Sequence, residues 1–323
     1  MQRFRVLSSL CRRNFHTSIP ARSASNQNLS IDHDALDKWI STPQGTILAD
    51  TLSTSHLSDL FVSIPTRDGT RESFQAPQVG SPLSFGHHLV FFHPRHPEAK
   101  LRADGTEPDF CPPEPFTRRM WVGGKIQWNN EQPLLVGSPA TATWEVASVQ
   151  KKGFEKGNPM VFVNQRIQYR THGREDVSID ETRAHVYVAH SAKSGKGPRE
   201  VKDLPSSPDF TFSFTPSPTT LFRFSALIFN AHYNHLDKEF SQQVEGYPER
   251  LVHGPLTALM LLDTVMFYNP VTYIKSFEYR ATNPLIVNRR LDFHGAWVEE
   301  KVAKLWCVDE EGVVGMTGTV EIA

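Results

Sequence analysis

Apolar and polar residues alternate along two stretches of the chain, and this pattern predicts two groups of β-strands. The first group lies within residues 119–188 and the second within residues 210–322. Alternation with a period of two is typical of strands that bury one face, and polar turns separate the runs. We therefore expect antiparallel meanders, with turns at Gly295 and at residues 309–312. The predicted strands are residues 120–122, 125–128, 140–149, 160–163, 166–169, 184–188, 210–214, 272–281, 285–293, 296–308 and 313–322.

One segment of the second half predicts a buried helix. Residues 251–266 are apolar on almost every helical face, so such a helix must be covered on all sides. A buried helix followed by antiparallel strands suggests a sheet wrapped around it, and the first half could repeat this plan with a poorer helix. A short helix capped by Asp34 is expected over residues 34–41. Residues 191–208 are rich in Ser, Gly, Pro and Lys, which indicates either a linker or a long surface loop.

Composition narrows the class of protein. The chain has 323 residues and a formal charge of -1, which argues against a nucleic-acid-binding protein. No apolar run approaches the ~20 residues of a membrane helix. Residues 1–25 contain five Arg and five Ser but no acidic residue. This composition is typical of a mitochondrial transit peptide, so we expect import into the matrix.

The segment with the most informative chemistry is residues 224–237, followed by residues 252–256. It resembles the hydration motif of MaoC-like, R-specific enoyl-thioester hydratases. His235 stands at the catalytic His of that motif, and Gly254 stands at the Gly that opens the central helix. Asn230 stands where the motif has Asp, which is a departure from the pattern. The form of the segment is similar to the mitochondrial hydroxyacyl-thioester dehydratase type 2 family and to mesaconyl-CoA hydratases.

The resemblance covers nearly the whole chain from about Trp39 onward, including residues 104–128 and 278–285. It implies an α+β double hotdog fold, with two antiparallel sheets each wrapped around a central helix and the second helix better formed. The implied domains are an acyl-binding domain over residues 30–190 and a catalytic domain over residues 209–323. The implied activity is dehydration of a 3-hydroxyacyl thioester in mitochondrial type II fatty acid synthesis. The substrate would be carried by acyl carrier protein or CoA, without cofactor or metal, and a homodimer is one possible assembly.

The chemistry of the residues agrees with this interpretation. Dehydration removes a proton from C2 and expels hydroxide from C3, and one imidazole can act first as base and then as acid. We assign this role to His235. The enolate-like charge on the thioester oxygen suits a helix N-terminus, where Gly254 offers its N–H because Pro255 has none. Asn230 would orient the hydroxyl or the attacking water. Further candidates are His232 and Asp237 as accessory catalytic residues and Trp121, Gly123, Gly124 and His253 as substrate-binding residues.

Several alternatives stay open at this point. His232, His235 and Asp237 have a spacing that could ligate a metal, but no further ligand is evident. A second histidine group lies in a Pro-bounded segment that we expect to be a solvent-exposed loop without metal. The competing functions are a mesaconyl- or enoyl-CoA hydratase, a thioesterase that would need a carboxylate at the site, and an inactive scaffold or binding protein. The histidines of the loop group are His87, His88, His93 and His96.

Overall fold

The computed structural model describes residues 30–189 and 197–323. The predicted transit peptide and the first part of the predicted linker lie outside these residues. Residues 197–208 contain neither helix nor strand. None of the helices in residues 30–189 and 197–323 is long and apolar enough to cross a membrane. The helices are α1 His33–Ser41, α2 Thr54–Phe61, α3 Pro218–Leu227, α4 Tyr233–Leu236, α5 Lys238–Gln243 and α6 Gly254–Tyr268.

The strands of the described chain form one ten-stranded sheet in which all neighbours are antiparallel. Its order is β1-β3-β4-β5-β2-β7-β10-β9-β8-β6. The strands are β1 Gly45–Thr51, β2 Arg118–Trp128, β3 Pro139–Lys152, β4 Met160–Thr171, β5 Ile179–Val188, β6 Phe210–Phe214, β7 Ile274–Ala281, β8 Leu291–Glu299, β9 Val302–Asp309 and β10 Val314–Ile322.

The two halves of the sheet repeat one strand order. From its outer edge inward, the first half has the order β1-β3-β4-β5-β2. The second half, also from its outer edge inward, has the matching order β6-β8-β9-β10-β7. The second strands of the halves, β2 and β7, pair from Gly123 opposite Arg280 to Gln127 opposite Ser276. The two halves are therefore hydrogen-bonded edge to edge. This architecture confirms the α+β double hotdog expected from the sequence, although the two expected sheets are joined into one.

Helix α6 forms the centre of the carboxy-terminal half. Ten of its residues, from Leu256 to Val265, are buried, as the all-round apolar pattern predicts. The one carboxylate among them, Asp263, accepts hydrogen bonds from Thr66 Oγ1 at 2.6 Å and Arg67 Nη2 at 3.3 Å. Arg67 and these hydrogen bonds outweigh burial and lower the pKa of Asp263. A charge can therefore stay in this apolar helix because it is paired.

The amino-terminal half has no counterpart of α6 between β1 and β2. That interval contains the short helix α2 and a long irregular segment with a 3-10 turn at His87–Val90. The prediction that His87 and His88 are solvent-exposed is wrong, since each is only 1% exposed. His87 Nε2 lies 3.0 Å from Asp263 Oδ1, and His88 Nε2 lies 3.5 Å from Glu181 Oε2. Distant carboxylates thus hold both imidazoles inside the molecule.

Two further local predictions need correction. Gly295 does not form a hairpin turn, because it lies within β8 and pairs with Leu305 of β9. A Cβ atom at position 295 would come within 2.1 Å of the Phe210 ring, so the glycine is needed for strand packing. The cap of α1 is Asp32, whose side chain accepts the Ala35 N–H, rather than Asp34. The turn predicted at residues 309–312 does connect β9 to β10.

Candidate active site

The turn after α3 carries Asn230 and leads into α4. Phe229, at φ 47°, has a left-handed backbone, which is unusual for a bulky residue and reverses the chain direction here. The Asn230 N–H then donates to Ser225 O at 2.9 Å. The side-chain Oδ1 of Asn230 accepts the His232 N–H at 3.1 Å. Because the oxygen is engaged in this turn, Asn230 can offer the two N–H groups of Nδ2 to a substrate oxygen.

His235 lies on α4 with a fixed imidazole. Its Nδ1 is 2.8 Å from the carbonyl oxygen of Leu251. A carbonyl only accepts, so Nδ1 carries the hydrogen and Nε2 keeps its lone pair. Burial lowers the pKa of His235, the Leu251 bond raises it and nearby Arg119 lowers it, and together they bring it to about 4. The imidazole is therefore neutral near pH 7, with Nε2 ready to accept a proton.

His253, the residue that precedes α6, supports His235 from one side. The two rings are stacked, with centroids 3.7 Å apart and planes inclined by 22°. His253 is fully buried, and its Nε2 lies 2.8 Å from Ser225 Oγ. Burial lowers the pKa of His253 well below its ordinary value. His253 is thus a neutral ring that packs against the imidazole of His235.

The amino-terminal end of α6 faces the other half of the molecule. Gly254 is the first residue of the helix and Pro255 follows it. The first N–H groups of a helix have no partner within the helix, and they carry a partial positive charge. A Cβ atom at Gly254 would lie 3.6 Å from Trp121. A side chain there would occupy the gap between helix and indole, and its absence leaves the Gly254 N–H approachable.

A loop of the amino-terminal half packs against α4, and its residues lie within the segment 104–128 of the family resemblance but were not predicted as site residues. Tyr233 N donates to Asp104 O at 2.9 Å, and His232 Nε2 lies 3.8 Å from Asp104 Oδ2. Gly105 has φ 79°, and a Cβ atom there would be 2.3 Å from Ala231 O, so only glycine allows this close approach. Burial and neighbouring cations keep the pKa of His232 well below normal. His232 is accordingly a neutral neighbour of His235, their ring centroids lying 5.4 Å apart.

Three of the predicted site residues have a role in the local structure. The Asp237 carboxylate accepts the Phe240 N–H at 3.0 Å and caps α5, so it serves that helix rather than the histidine pair. Gly123 and Gly124 lie in β2 between β5 and β7, and a Cβ atom would come within 2.5 Å of Tyr279 O or 2.2 Å of Thr182 O, respectively. Strand packing therefore requires both glycines, and their assignment to substrate binding stays a prediction.

One group of the described residues has a spacing suitable for a metal ion. Ligand atoms of His96, Glu107 and Asp109 lie within 4.8 Å of one another. His96 Nε2 is 2.8 Å from Asp109 Oδ2, which is an ordinary hydrogen-bond distance. All three residues are half-buried. Neither His232 nor His235 belongs to this group.

Known proteins are similar to this chain in sequence. The family model for hydroxyacyl-thioester dehydratase type 2 matches residues 86–287. The mesaconyl-C(4)-CoA hydratase of Chloroflexus aurantiacus is 35% identical over 212 residues, which cover 65% of this chain and 73% of the relative. The mitochondrial hydroxyacyl-thioester dehydratase type 2 of Schizosaccharomyces pombe is 29% identical over 234 residues, covering 65% and 76%.

A solved structure shows the same fold. The MaoC-like dehydratase of Phytophthora capsici superimposes with a TM-score of 0.62 at 16% identity, covering 89% of this chain and 98% of that one. The names of the two sequence relatives both describe the addition or removal of water, which is the chemistry of hydro-lyases. The family model spans more than half of the chain and includes Asn230, His235 and Gly254. The chain belongs to the hydroxyacyl-thioester dehydratase type 2 family.

Proposed function

We propose that this protein interconverts a (3R)-hydroxyacyl thioester and a trans-2-enoyl thioester by syn elimination or addition of water. The observation that carries the proposal is the bond from His235 Nδ1 to Leu251 O. It leaves Nε2 as an acceptor, so a neutral imidazole can remove the C2 proton. The resulting imidazolium then gives that proton to the departing C3 hydroxyl on the same face. One residue can thus perform both transfers.

Gly254 and Asn230 would bind the oxygen atoms of the substrate. The Gly254 N–H at the start of α6 would stabilise the negative charge that develops on the thioester oxygen. The Nδ2 group of Asn230 would hold the C3 hydroxyl, or the attacking water, in line with His235. An amide does not exchange protons near neutral pH, so Asn230 orients and His235 carries the acid–base chemistry. This division supports a reaction with a single titrating group.

For the substrate carrier and the location, the first candidate is acyl carrier protein in the type II fatty acid synthesis of the mitochondrial matrix. The Arg-rich leader and the mitochondrial relative from Schizosaccharomyces pombe support it. The second candidate is a mesaconyl- or enoyl-CoA hydratase, which the Chloroflexus aurantiacus relative supports. No cofactor takes part in either reaction, since the histidine, amide and backbone N–H supply the chemistry.

The test is one assay with two readouts. Purified protein is given crotonyl-CoA and a trans-2-enoyl acyl carrier protein, and both hydration and thiol release are followed. We expect hydration to the (3R)-hydroxy product without thiol release. His235→Ala should lower kcat by ~10²–10⁴-fold, while Asp237→Asn serves as a nearby control outside the histidine pair. Thiol release would indicate a thioesterase, and inactivity on both carriers would indicate a binding protein.

A further inference from the structure

A loop in the long segment before β2 has two ends that meet. It comprises residues 96–109, called here the 96–109 loop, and it contains no strand. His96 Nε2 lies 2.8 Å from Asp109 Oδ2, although the two residues are 13 positions apart in the chain. Glu107 lies at the same end of the loop, with its Oε2 atom 3.8 Å from His96 Nε2. One imidazole nitrogen and two carboxylate groups therefore converge at the base of the loop.

The tip of the 96–109 loop is a compact turn that packs against α4. Arg102 N donates to Thr106 O at 2.9 Å, and Gly105 N donates to Arg102 O at 2.8 Å. Beside this turn, the Tyr233 N–H donates to Asp104 O and so joins the tip to α4. Backbone hydrogen bonds thus hold the tip, whereas three titratable side chains meet at the base.

Glu107 has an oxygen atom without a donor. Its Oε2 is buried and accepts no hydrogen bond within residues 30–189 and 197–323. Buried polar atoms are nearly always hydrogen-bonded, so such an exception requires an explanation. His96 can carry only one hydrogen on Nε2, and the 2.8 Å distance assigns that hydrogen to Asp109. The Glu107 oxygen therefore faces the imidazole without receiving a hydrogen bond from it.

The charges at the base of the loop favour a cation. The ligand atoms of His96, Glu107 and Asp109 lie within 4.8 Å of one another, so the two carboxylates repel each other. In the described part of the chain, neither carboxylate makes an ion pair with an arginine or a lysine. A protonated imidazole supplies a single positive charge. A divalent cation would neutralise both carboxylates.

The distances suit a tetrahedral ion. Zn²⁺ binds His nitrogen and carboxylate oxygen at ~2.0–2.2 Å, so two of its ligand atoms are ~3.3 Å apart. The distances of 2.8 Å from His96 to Asp109 and 3.8 Å from His96 to Glu107 lie on either side of this value. The side chains of His96 and Asp109 are 35% and 32% exposed, so they have room to adjust. An imidazole ligand favours Zn²⁺ over Mg²⁺ and Ca²⁺, which prefer oxygen ligands.

We propose that His96, Glu107 and Asp109 form a Zn²⁺ site that closes the base of the 96–109 loop. The ion takes the place of the hydrogen between His96 and Asp109, whose proton passes to solvent, and it gives Glu107 Oε2 a partner. Three protein ligands leave the fourth position to water. A tie between the two ends of a loop reduces its conformational freedom, so the ion stabilises the tip against α4. The expectation of a histidine group without metal is revised for His96 alone.

The experiment measures Zn²⁺ binding to the full chain without an affinity tag, by isothermal titration calorimetry and by thermal unfolding. We expect saturable binding at this site, a Tm that rises with Zn²⁺ concentration, and no such effect of Mg²⁺. His96→Gln and Asp109→Asn should each weaken binding by at least ~10–100-fold, which is the loss caused by removing a residue that only supports a metal ligand. Two controls should bind Zn²⁺ like the wild type. They are Glu98→Gln in the same loop and His172→Gln, both at exposed positions.

Amide hydrogen exchange of the wild type provides a second readout, in which Zn²⁺ should slow exchange in the 96–109 loop and in α4. Absence of Zn²⁺ binding overturns the site, and so does binding that both folded variants retain. Binding that His235→Ala abolishes and His96→Gln retains would assign the ion to the active-site histidines instead. If the variants fail to fold, the exchange pattern of the wild type decides, and slowing confined to other segments overturns the site. Neither readout uses hydration activity, so this proposal and the proposed function fail independently.

Discussion

The imidazole of His253 lies flat against that of His235, at a centroid distance of 3.7 Å. Each ring is fixed by a different partner: Leu251 O holds Nδ1 of His235, and Ser225 Oγ holds Nε2 of His253. The stack covers one face of the His235 ring. It also brings two imidazoles so close that a proton on one disfavours a proton on the other.

Removing the supporting ring should change the titration of the catalytic one. In His253→Ala, water reaches His235, so the pKa of His235 should rise toward its ordinary value of ~6.5. We expect the acidic limb of kcat/KM to move to higher pH and kcat to fall. His253→Phe keeps an aromatic ring in place and is the matched control. An acidic limb at the same pH in His253→Ala and the wild type would show that the stack does not tune His235.

The wild-type enzyme should remain active in moderately acidic solution. Its base must be neutral, and the pKa of His235 is lowered to about 4. Activity should therefore be lost only as the pH falls through that value, rather than near the ~6.5 of free histidine. The measurement is kcat/KM against pH, with re-assay at neutral pH to separate titration from unfolding. A reversible half-loss near the free-histidine value would contradict the assignment of His235 as a buried base.

Asn230 should be needed for orientation and not for proton transfer. Loss of one electrostatic donor typically costs ~10²–10³-fold in kcat, so Asn230→Ala should be slowed by about that factor. Asn230→Asp should stay active, because a carboxylate can still accept the His232 N–H and the related hydratases that the motif resembles carry Asp. Both variants should keep an acidic limb set by His235. Full activity of Asn230→Ala would contradict this role of Asn230 and make His232 the next candidate.

Folding stability should decrease in acid well before the carboxylates titrate. The pKa values of His232, His235 and His253 are all lowered by burial. Below pH ~6.5 these histidines bind protons in the unfolded chain but not in the folded chain. Each histidine therefore lowers the free energy of unfolding by up to ~1.4 kcal/mol per pH unit. The loss of stability therefore begins as the pH falls below ~6.5, and it stops growing once the pH is below the folded-state pKa values. Urea unfolding at several pH values measures the slope, and His253→Phe should reduce it by about one proton.

The leader is expected to direct import. Replacing the five arginines of residues 1–25 by glutamate should leave the protein in the cytosol, because the segment would lose its attraction toward the negative matrix. Replacement by lysine preserves the charge and is the control. Cell fractionation gives the result. Unchanged matrix import of the glutamate variant would show that residues 1–25 are not a transit peptide.

Local patterns predicted those parts of the fold whose cause is local. The apolar residues of α6 and the alternation in β3 and β10 appear directly in the sequence. The motif also predicts a site at His235, Asn230 and Gly254, which lie on α4, in the turn after α3 and at the start of α6. The burial of His87 was not predictable, since it depends on Asp263, which is 176 positions away in the chain. The place of Gly295 inside β8 likewise depends on a distant ring, that of Phe210.

The supporting residues of the site were missed for the same reason. Nothing near Asp104 in the sequence indicates that its loop contacts α4. The packing role of Gly123 and Gly124 was also missed, because it depends on Tyr279 and Thr182 in neighbouring strands. In β5 the alternating residues Glu181, Arg183 and His185 are polar, yet their face of the strand is largely buried. This alternation was the available signal that the inner face of the amino-terminal half contains polar residues.

The pairing of β2 with β7 also limits how the enzyme can move. Because the sheet continues through this junction, β2 next to Trp121 is hydrogen-bonded to the carboxy-terminal half. A closing rotation of one half about the other would have to break the ladder between Gly123 and Gln127. We therefore expect substrate admission and product release to depend on segments outside the sheet, such as the Asp104 loop and α4. We accordingly expect turnover to involve local motion of these loops rather than rotation of one half of the molecule against the other.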